Sequence, residues 1–278
     1  MGQRGIKPKL KTIVVGENPA SQVYLKNIHA ACLNLGIDSA NYGLPSTISQ
    51  AELEDSIRGL GEDMMVTGIL LQLPLPKGLD DLRALKCIPP EKDVDGLHPT
   101  NLGLLFERPT KPGLLIPCTP RGVMVLLNYY RIETAGKQVV VINRSKLVGR
   151  PLTQLLLNKD ATVTTCHSKT RELKEVCRRA EILVTGIGHR HEFAVDAEMI
   201  RPGAVVIDVG TSSVNGEIRG DVDFASAMNV ASYVTPVPGG VGPMTTSLLL
   251  YNTVLAACAQ SGVELPFNVD ELTPSERA

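Results

Sequence analysis

The chain alternates short apolar runs with segments of helical period. Residues 12–15, 67–71, 138–142, 182–185 and 204–209 are apolar at nearly every position, as expected of strands buried on both faces. Residues 38–44, 162–166 and 232–235 are also strand-like. Helical stretches lie between them. One runs to Leu35 and stops at Gly36; another covers 50–60, where Ser49 and Glu52 can form a capping box. Others cover 120–130 with Thr119 as cap, 148–158, 169–179 and 245–260. Strands alternating with helices predict an α/β fold with parallel sheets. Two such layers are expected, meeting near 116–119, where Pro117 and Pro120 break the pattern. Ligands of such folds bind at the carboxyl ends of strands, so the segments just after strands are the ones to search.

A length of 278 residues suits two domains of roughly 100–200 residues each. With 43% hydrophobic and 21% charged residues, disordered and collagen-like chains are excluded. Lys and Arg total 28 against 29 acidic residues, a net charge of −1. An anionic ligand must therefore be held by local basic groups. Trp is absent and no basic stripe stands out, so no nucleic-acid partner is expected. The longest apolar runs fall short of the roughly 18–20 residues of a membrane span, and no membrane partner is expected. Residues 1–11 are basic but lack the apolar segment of a signal peptide. The six cysteines show neither CxxC pairs nor zinc-ligand spacing, so no metal is expected. Scattered thiols of this kind point to a reducing, cytoplasmic compartment.

Several segments after strands could carry chemistry. Asn143, Arg144 and Ser145 follow the 138–142 strand and precede a helix. A helix N-terminus there would offer backbone N–H groups to phosphate, and Arg144 and Ser145 add a charge and a hydroxyl; a polar turn with a solvated Arg is equally open. His167, Ser168 and Thr170 follow the next strand, where Ser168 or Thr170 could instead cap a helix. The loop 235–245 has three glycines and three prolines, and its stiffness suits a binding loop, though a structural turn would share that composition. Gln72 is one amide among apolar residues at a strand end, and Asp93 and Asp95 lie in a turn. Each has a plain alternative: Gln72 could satisfy local backbone, and the aspartates could form a surface Asx-turn. On the helix that follows the first strand, Ile28 lies about 40° from Tyr24, whereas Lys26 and His29 lie about 160° and 140° away.

Together, GENPASQVYLKN, GILLQLPLP, PPEKDVDGLHP, IPCTPRG, NRSKLVGRP, TTCHSKT and TPVPGGVGPMT resemble the methylenetetrahydrofolate dehydrogenase/cyclohydrolase family from about Lys11 to Gln260. The resemblance implies a folate-binding domain over 1–118, completed by the helix at 244–260. It implies a Rossmann-like, doubly wound NAD(P)-binding domain over 119–243, a cleft between the two, and a polar tail over 261–278. It implies hydride transfer from 5,10-methylenetetrahydrofolate to NADP, less often NAD, with tetrahydrofolate as the substrate carrier, and a homodimer. By the same resemblance Tyr24, Gln72 and Asp95 are the catalytic residues. Leu71, Leu73, Pro238, Gly239 and Gly240 line the folate with them. Asn143, Arg144, Ser145, Ser168, Thr211, Gly242, Pro243 and Thr245 line the cofactor, with Arg144 and Ser145 on its 2′-phosphate.

The chain departs from the family pattern in three places. The lysine that serves the cyclohydrolase chemistry is Ile28, which cannot move a proton. The expectation is therefore a dehydrogenase with weak or absent cyclohydrolase. A bifunctional enzyme yielding 10-formyltetrahydrofolate and a non-catalytic folate- or nucleotide-binding relative are the alternatives. The glycine that opens the GRS turn is Asn143, which could keep a positive φ while its side chain crowds the phosphate. Last, the family's first strand is preceded by a further helix, which this sequence lacks.

Overall fold

The computed structural model describes residues 6–16, 19–107, 113–265 and 267–272, with residues 19, 20, 21 and 23 described by their backbone alone. In chain order its elements are β1 (Lys9–Val15), α1 (Pro19–Asn34), β2 (Asp38–Leu44), α2 (Gln50–Glu62), β3 (Gly68–Leu71), α3 (Asp81–Leu85), α4 (Pro99–Glu107), α5 (Cys118–Tyr129), β4 (Gln138–Ile142), α6 (Gly149–Leu157), β5 (Thr162–Cys166), α7 (Leu173–Cys177), β6 (Ile182–Thr185), β7 (Val205–Asp208), β8 (Ser212–Val214), β9 (Glu217–Arg219), α8 (Phe224–Ala227), β10 (Tyr233–Val234) and α9 (Val241–Gln260). They form two compact units, Met1–Ile116 with Thr246–Phe267, and Pro117–Thr245 with Asn268–Ala278.

The first unit holds a three-stranded parallel sheet in the order β2-β1-β3. Ile13 of β1 lies opposite Tyr42 and Leu71. Alternation along the strands sends Ile13, Ile69 and Leu71 into a core with Leu53 and Ile57 of α2. The start of α2 is fixed by the expected capping box between Ser49 and Glu52. At Gly68 a Cβ would come within 2.6 Å of Val94 Cγ1, so β3 packs there only as glycine. Asn252 of α9 donates to the Val94 and Ile116 carbonyls from a fully buried position. By length and mean hydropathy (1.2) α9 could cross a membrane, the one such helix among the described residues. Its apolar positions are interrupted at Thr245, Thr246, Ser247, Asn252 and Thr253, so no unbroken apolar run reaches that length. Of its apolar window 56% is buried, the position of a core helix.

The second unit holds a five-stranded parallel sheet in the order β10-β7-β6-β4-β5. The strands are covered on both faces. Val140, Ile142, Leu183 and Val206 enter one core; Val139, Val141, Val184 and Ile207 enter the other with Leu152 and Leu156 of α6. The chain steps from β4 outward to β5, then returns to place β6 on the other side of β4. The ends of β4 and β6 thus flank the topological switch point, where such folds bind ligands.

Three local expectations are corrected. Thr119 does not cap α5: the helix already begins at Cys118, Pro117 precedes it without a side-chain cap, and the Thr119 hydroxyl lies 3.0 Å from that of Thr245. The helix expected over 169–179 shrinks to α7. Thr170 Oγ1 accepts from the His167 amide in the turn that precedes it, and Glu172 enters α7 at φ 50°. The segment beyond Gln260 is not simply a polar tail: Arg121, 4% exposed, donates from Nε and Nη2 to the Asp270 carboxylate at 2.9 and 2.6 Å. Asn128 donates to the Asp270 and Leu272 carbonyls.

Candidate active site

In the second unit Asn143, Arg144 and Ser145 emerge from β4, and Ser168 lies just beyond β5. These strands are parallel neighbours, with Ile142 opposite Cys166, so the two loops share one end of the sheet. Arg144, Ser145 and Ser168 are all exposed there. A guanidinium and two hydroxyls suit the oxygen-rich edge of a phosphate monoester.

The helix N-terminus does not offer the phosphate cradle expected of it. The Val148 amide donates to Ser145 Oγ at 3.1 Å, that of Gly149 to Asn143 Oδ1 at 3.1 Å, and that of Arg150 to the Ser145 carbonyl at 3.0 Å. Pro151 has no N–H, and Leu152 donates to Val148. The turn folds so tightly that a Cβ on Gly149 would lie 2.1 Å from the Asn143 carbonyl oxygen. Asn143 Oδ1 also accepts from the Ser145 amide at 2.7 Å, and its Nδ2 donates to the Gly186 carbonyl at the end of β6. Asn143 is absent from the described residues of positive φ. Its side chain, not a left-handed backbone, shapes the turn.

Two carboxylates that the sequence reading missed organise the neighbouring strand ends. Asp221 is fully buried; its Oδ2 accepts from Thr185 Oγ1 and the Ile187 amide, its Oδ1 from the Gly188 amide. Asp208, at the end of β7, accepts from the amides of Gly210, Asp221 and Val222. Burial pushes the Asp208 carboxyl above its ordinary pKa, against the pull of those amides, and the Asp221 charge adds to the rise. A Cβ at Gly210 or Gly220 would lie within 2.4 Å of these carboxylates. The sequence signal was Asp208 closing an apolar strand, with Gly210 two residues after it and Gly220 directly before Asp221.

Thr211 is exposed beside this cluster, and its carbonyl would lie 3.3 Å from a Cβ on Gly188. In the Gly/Pro loop, Gly239 and Gly240 take φ of 113° and 51°. Pro238, Gly242 and Pro243 are exposed, while Gly239 and Gly240 are half-buried. Thr245 is half-buried and engaged with Thr119 and the Val241 carbonyl, so its hydroxyl serves the protein rather than an open site.

In the first unit the candidates Leu71, Gln72 and Leu73 lie at and just beyond the end of β3. Leu71 is buried in the core, and Leu73, half-buried just beyond β3, packs against the same cluster. Gln72 lies between them, half-buried, and donates to the Leu73 carbonyl at 3.0 Å. Asp95 is half-buried, two residues beyond the bridge that pairs Asp93 with Ile69 of β3; this sets it near the carboxyl end of that strand. Asp93 itself is structural: it accepts from the His98 amide and Asn101 Nδ2, and burial raises its carboxyl. Lys92 is likewise buried, donating to the Gly61 and Asp63 carbonyls. Tyr24 is half-buried on α1, and Ile28 one turn later is fully buried. Lys26 is exposed, and His29 turns to β2, bonded to Ser39 and Asn41.

Residues 117–261 match the model of the tetrahydrofolate dehydrogenase/cyclohydrolase NAD(P)-binding domain, and residues 1–95 that of the tetrahydrofolate dehydrogenase/cyclohydrolase catalytic domain. The chain is 51% identical over 261 residues to the bifunctional protein FolD of Enterococcus faecalis, covering 94% of this chain and 91% of the relative. It is 48% identical over 260 residues to that of Nitrosopumilus maritimus, covering 94% and 90%. Among solved structures, the bifunctional FolD methylenetetrahydrofolate dehydrogenase/cyclohydrolase of Campylobacter jejuni superposes with a TM-score of 0.87 at 44% identity, covering 93% of this chain and 90% of that one. The Trypanosoma brucei enzyme, solved with NADP and an inhibitor, gives 0.87 at 40% identity, covering 93% and 89%.

Proposed function

The chain belongs to the tetrahydrofolate dehydrogenase/cyclohydrolase family, and we propose that it oxidises 5,10-methylenetetrahydrofolate to 5,10-methenyltetrahydrofolate with NADP. The observation that carries the cofactor half is the pair of adjacent strand-end loops bearing exposed Arg144, Ser145 and Ser168. Their donors fit a 2′-phosphate, and with a net charge of −1 the binding charge has to be local. NADP, when bound, accepts the hydride from the methylene carbon. Hydride transfer needs no protein acid or base at that carbon; it needs the partners held in reacting geometry. The chain's task is therefore to bind, orient and exclude water.

On this reading Tyr24 stacks against the folate, while Gln72 and Asp95 bond its pterin. The half-burial of all three supports it, since each keeps an accessible edge. The Pro238–Gly240 turn and Thr211 border the ligands. Gly240 supports that role: a Cβ there would meet the Pro236 carbonyl at 2.8 Å, so the turn holds one shape. A methylene substrate labelled with deuterium at the reacting carbon tests the reaction. The label should appear in the reduced nicotinamide; reduction without label, or no reduction, would contradict it.

The expectation of weak or absent hydrolysis is not borne out by the comparisons, whose relatives are named bifunctional. Hydrolysis to 10-formyltetrahydrofolate is accordingly part of the proposed function. Ile28 is fully buried and carries no proton, so the protons of that step must move through other groups or water. Pure protein should remove methenyltetrahydrofolate faster than a protein-free control. Loss at the control rate would mean that residue 28 has cost this chain its second activity. A homodimer in a reducing compartment completes the proposal. The six cysteines, none of them in a disulfide, support the compartment, and sedimentation velocity would test the dimer.

A further inference from the structure

We propose that Asn143 makes this chain depend on the 2′-phosphate of its dinucleotide, by filling the switch point with its own carboxamide. The inference rests on the cofactor reading above and deepens it. The crevice between the ends of β4 and β6 is where a doubly wound sheet receives a dinucleotide, and the helix after the first strand ordinarily contributes free amides to its phosphates. Here Asn143 Oδ1 takes the amides of Ser145 and Gly149 at 2.7 and 3.1 Å. Its Nδ2 reaches across the switch point to the Gly186 carbonyl. The remaining amides at the start of α6, on Val148, Arg150 and Leu152, are bonded within the turn or helix, and Pro151 has none.

An anion arriving at this helix end meets amides that are already occupied. What stays exposed is side-chain chemistry: the Arg144 guanidinium and the hydroxyls of Ser145 and Ser168. Ser145 Oγ accepts from Val148, which leaves its own proton free to be donated. A dinucleotide lacking the 2′-phosphate forfeits those side chains and finds the amides from Val148 to Leu152 occupied or, at Pro151, missing. Asn143 thus lowers the affinity that the two dinucleotides share, and the 2′-phosphate contacts make up the loss. It also ties the β4 turn to the β6 loop, which Asp221 holds from the other side through the Ile187 and Gly188 amides.

The test is calorimetric binding of NADP and of NAD, without folate, to the wild type, Asn143→Gly and Asn143→Asp. It is paired with amide hydrogen exchange at Ser145 and Gly149. Asn143→Gly frees both amides. NAD and NADP affinity should each rise about tenfold, the size of one or two net hydrogen bonds. Asn143→Asp keeps the accepting oxygens and adds a negative charge, so NAD should not gain and NADP should weaken. Asn143→Ala replaces the glycine variant if that one does not fold. Exchange at both amides should be slow in the wild type and fast in Asn143→Gly. Fast exchange in the wild type, or affinities for both dinucleotides unchanged in a folded Asn143→Gly, would overturn the proposal. If the wild type binds neither dinucleotide while both amides are protected, the cofactor reading is what fails.

Discussion

Thr12 lies on the central strand of the first unit, fully buried, and its hydroxyl has no hydrogen-bond partner among the described residues. An unmet buried hydroxyl costs about 1 kcal/mol or more. Thr12→Val keeps the shape and removes that cost, so the denaturation midpoint should hold or rise by the equivalent of about 1 kcal/mol. Gly240 is the opposite case. Its φ of 51°, and the Pro236 carbonyl 2.8 Å from where a methyl group would sit, leave no room for alanine. Gly240→Ala should destabilise by about 2 kcal/mol, read by the same unfolding measurement. Arg144→Ala removes a charge-assisted contact, worth about 1.5–3 kcal/mol. NADP binding should weaken roughly 10–100-fold while NAD binding barely moves, as titration of each would show. Arg144, Ser145 and Ser168 were legible in the sequence because they directly follow apolar strands. The role of Asn143 was not, because its partner Gly186 is 43 residues away.

At the scale of elements, the apolar strands and the capped start of α2 were legible, since each is decided by local pattern. α7 was over-extended because its preceding residues satisfy their amides in turns instead. The link from Arg121 to Asp270 spans 149 residues, beyond any local signal. Arg121 is nearly enclosed and Asp270 is partly exposed, so the cost of Arg121→Ala is discounted to about 2 kcal/mol from that of a wholly buried pair. It should appear as an earlier unfolding transition, smaller in Arg121→Met, which keeps the packing. The Asp208–Asp221 pair gives the strand ends a pH signature. Asp208 is held above its ordinary pKa, so the folded state takes up its proton before the unfolded state does. Its contribution to stability therefore grows as pH falls from neutral through that raised pKa, and is lost again as pH rises. The stability of the wild type relative to Asp208→Asn should increase as pH is lowered toward the ordinary carboxylate range. A difference that shrinks over that interval would contradict the assignment.

At the scale of the whole chain, two α/β units were legible because parallel strands buried on both faces leave a continuous apolar record. The expected boundary at 118/119 and the observed division after Ile116 both fall on the proline-broken stretch, and the chain returns to the first unit at Thr246, inside α9. That return joins segments more than a hundred residues apart and leaves no local mark. The functional account rests on one demand: charge for a 2′-phosphate at one strand end, in a chain whose family acts on folate. The most direct measurement is the initial rate of 5,10-methylenetetrahydrofolate oxidation with NADP and with NAD side by side, followed through the reduced nicotinamide. The account predicts turnover with NADP and a rate constant per cofactor concentration far lower with NAD. Equal use of both, or no reduction with either, would contradict it.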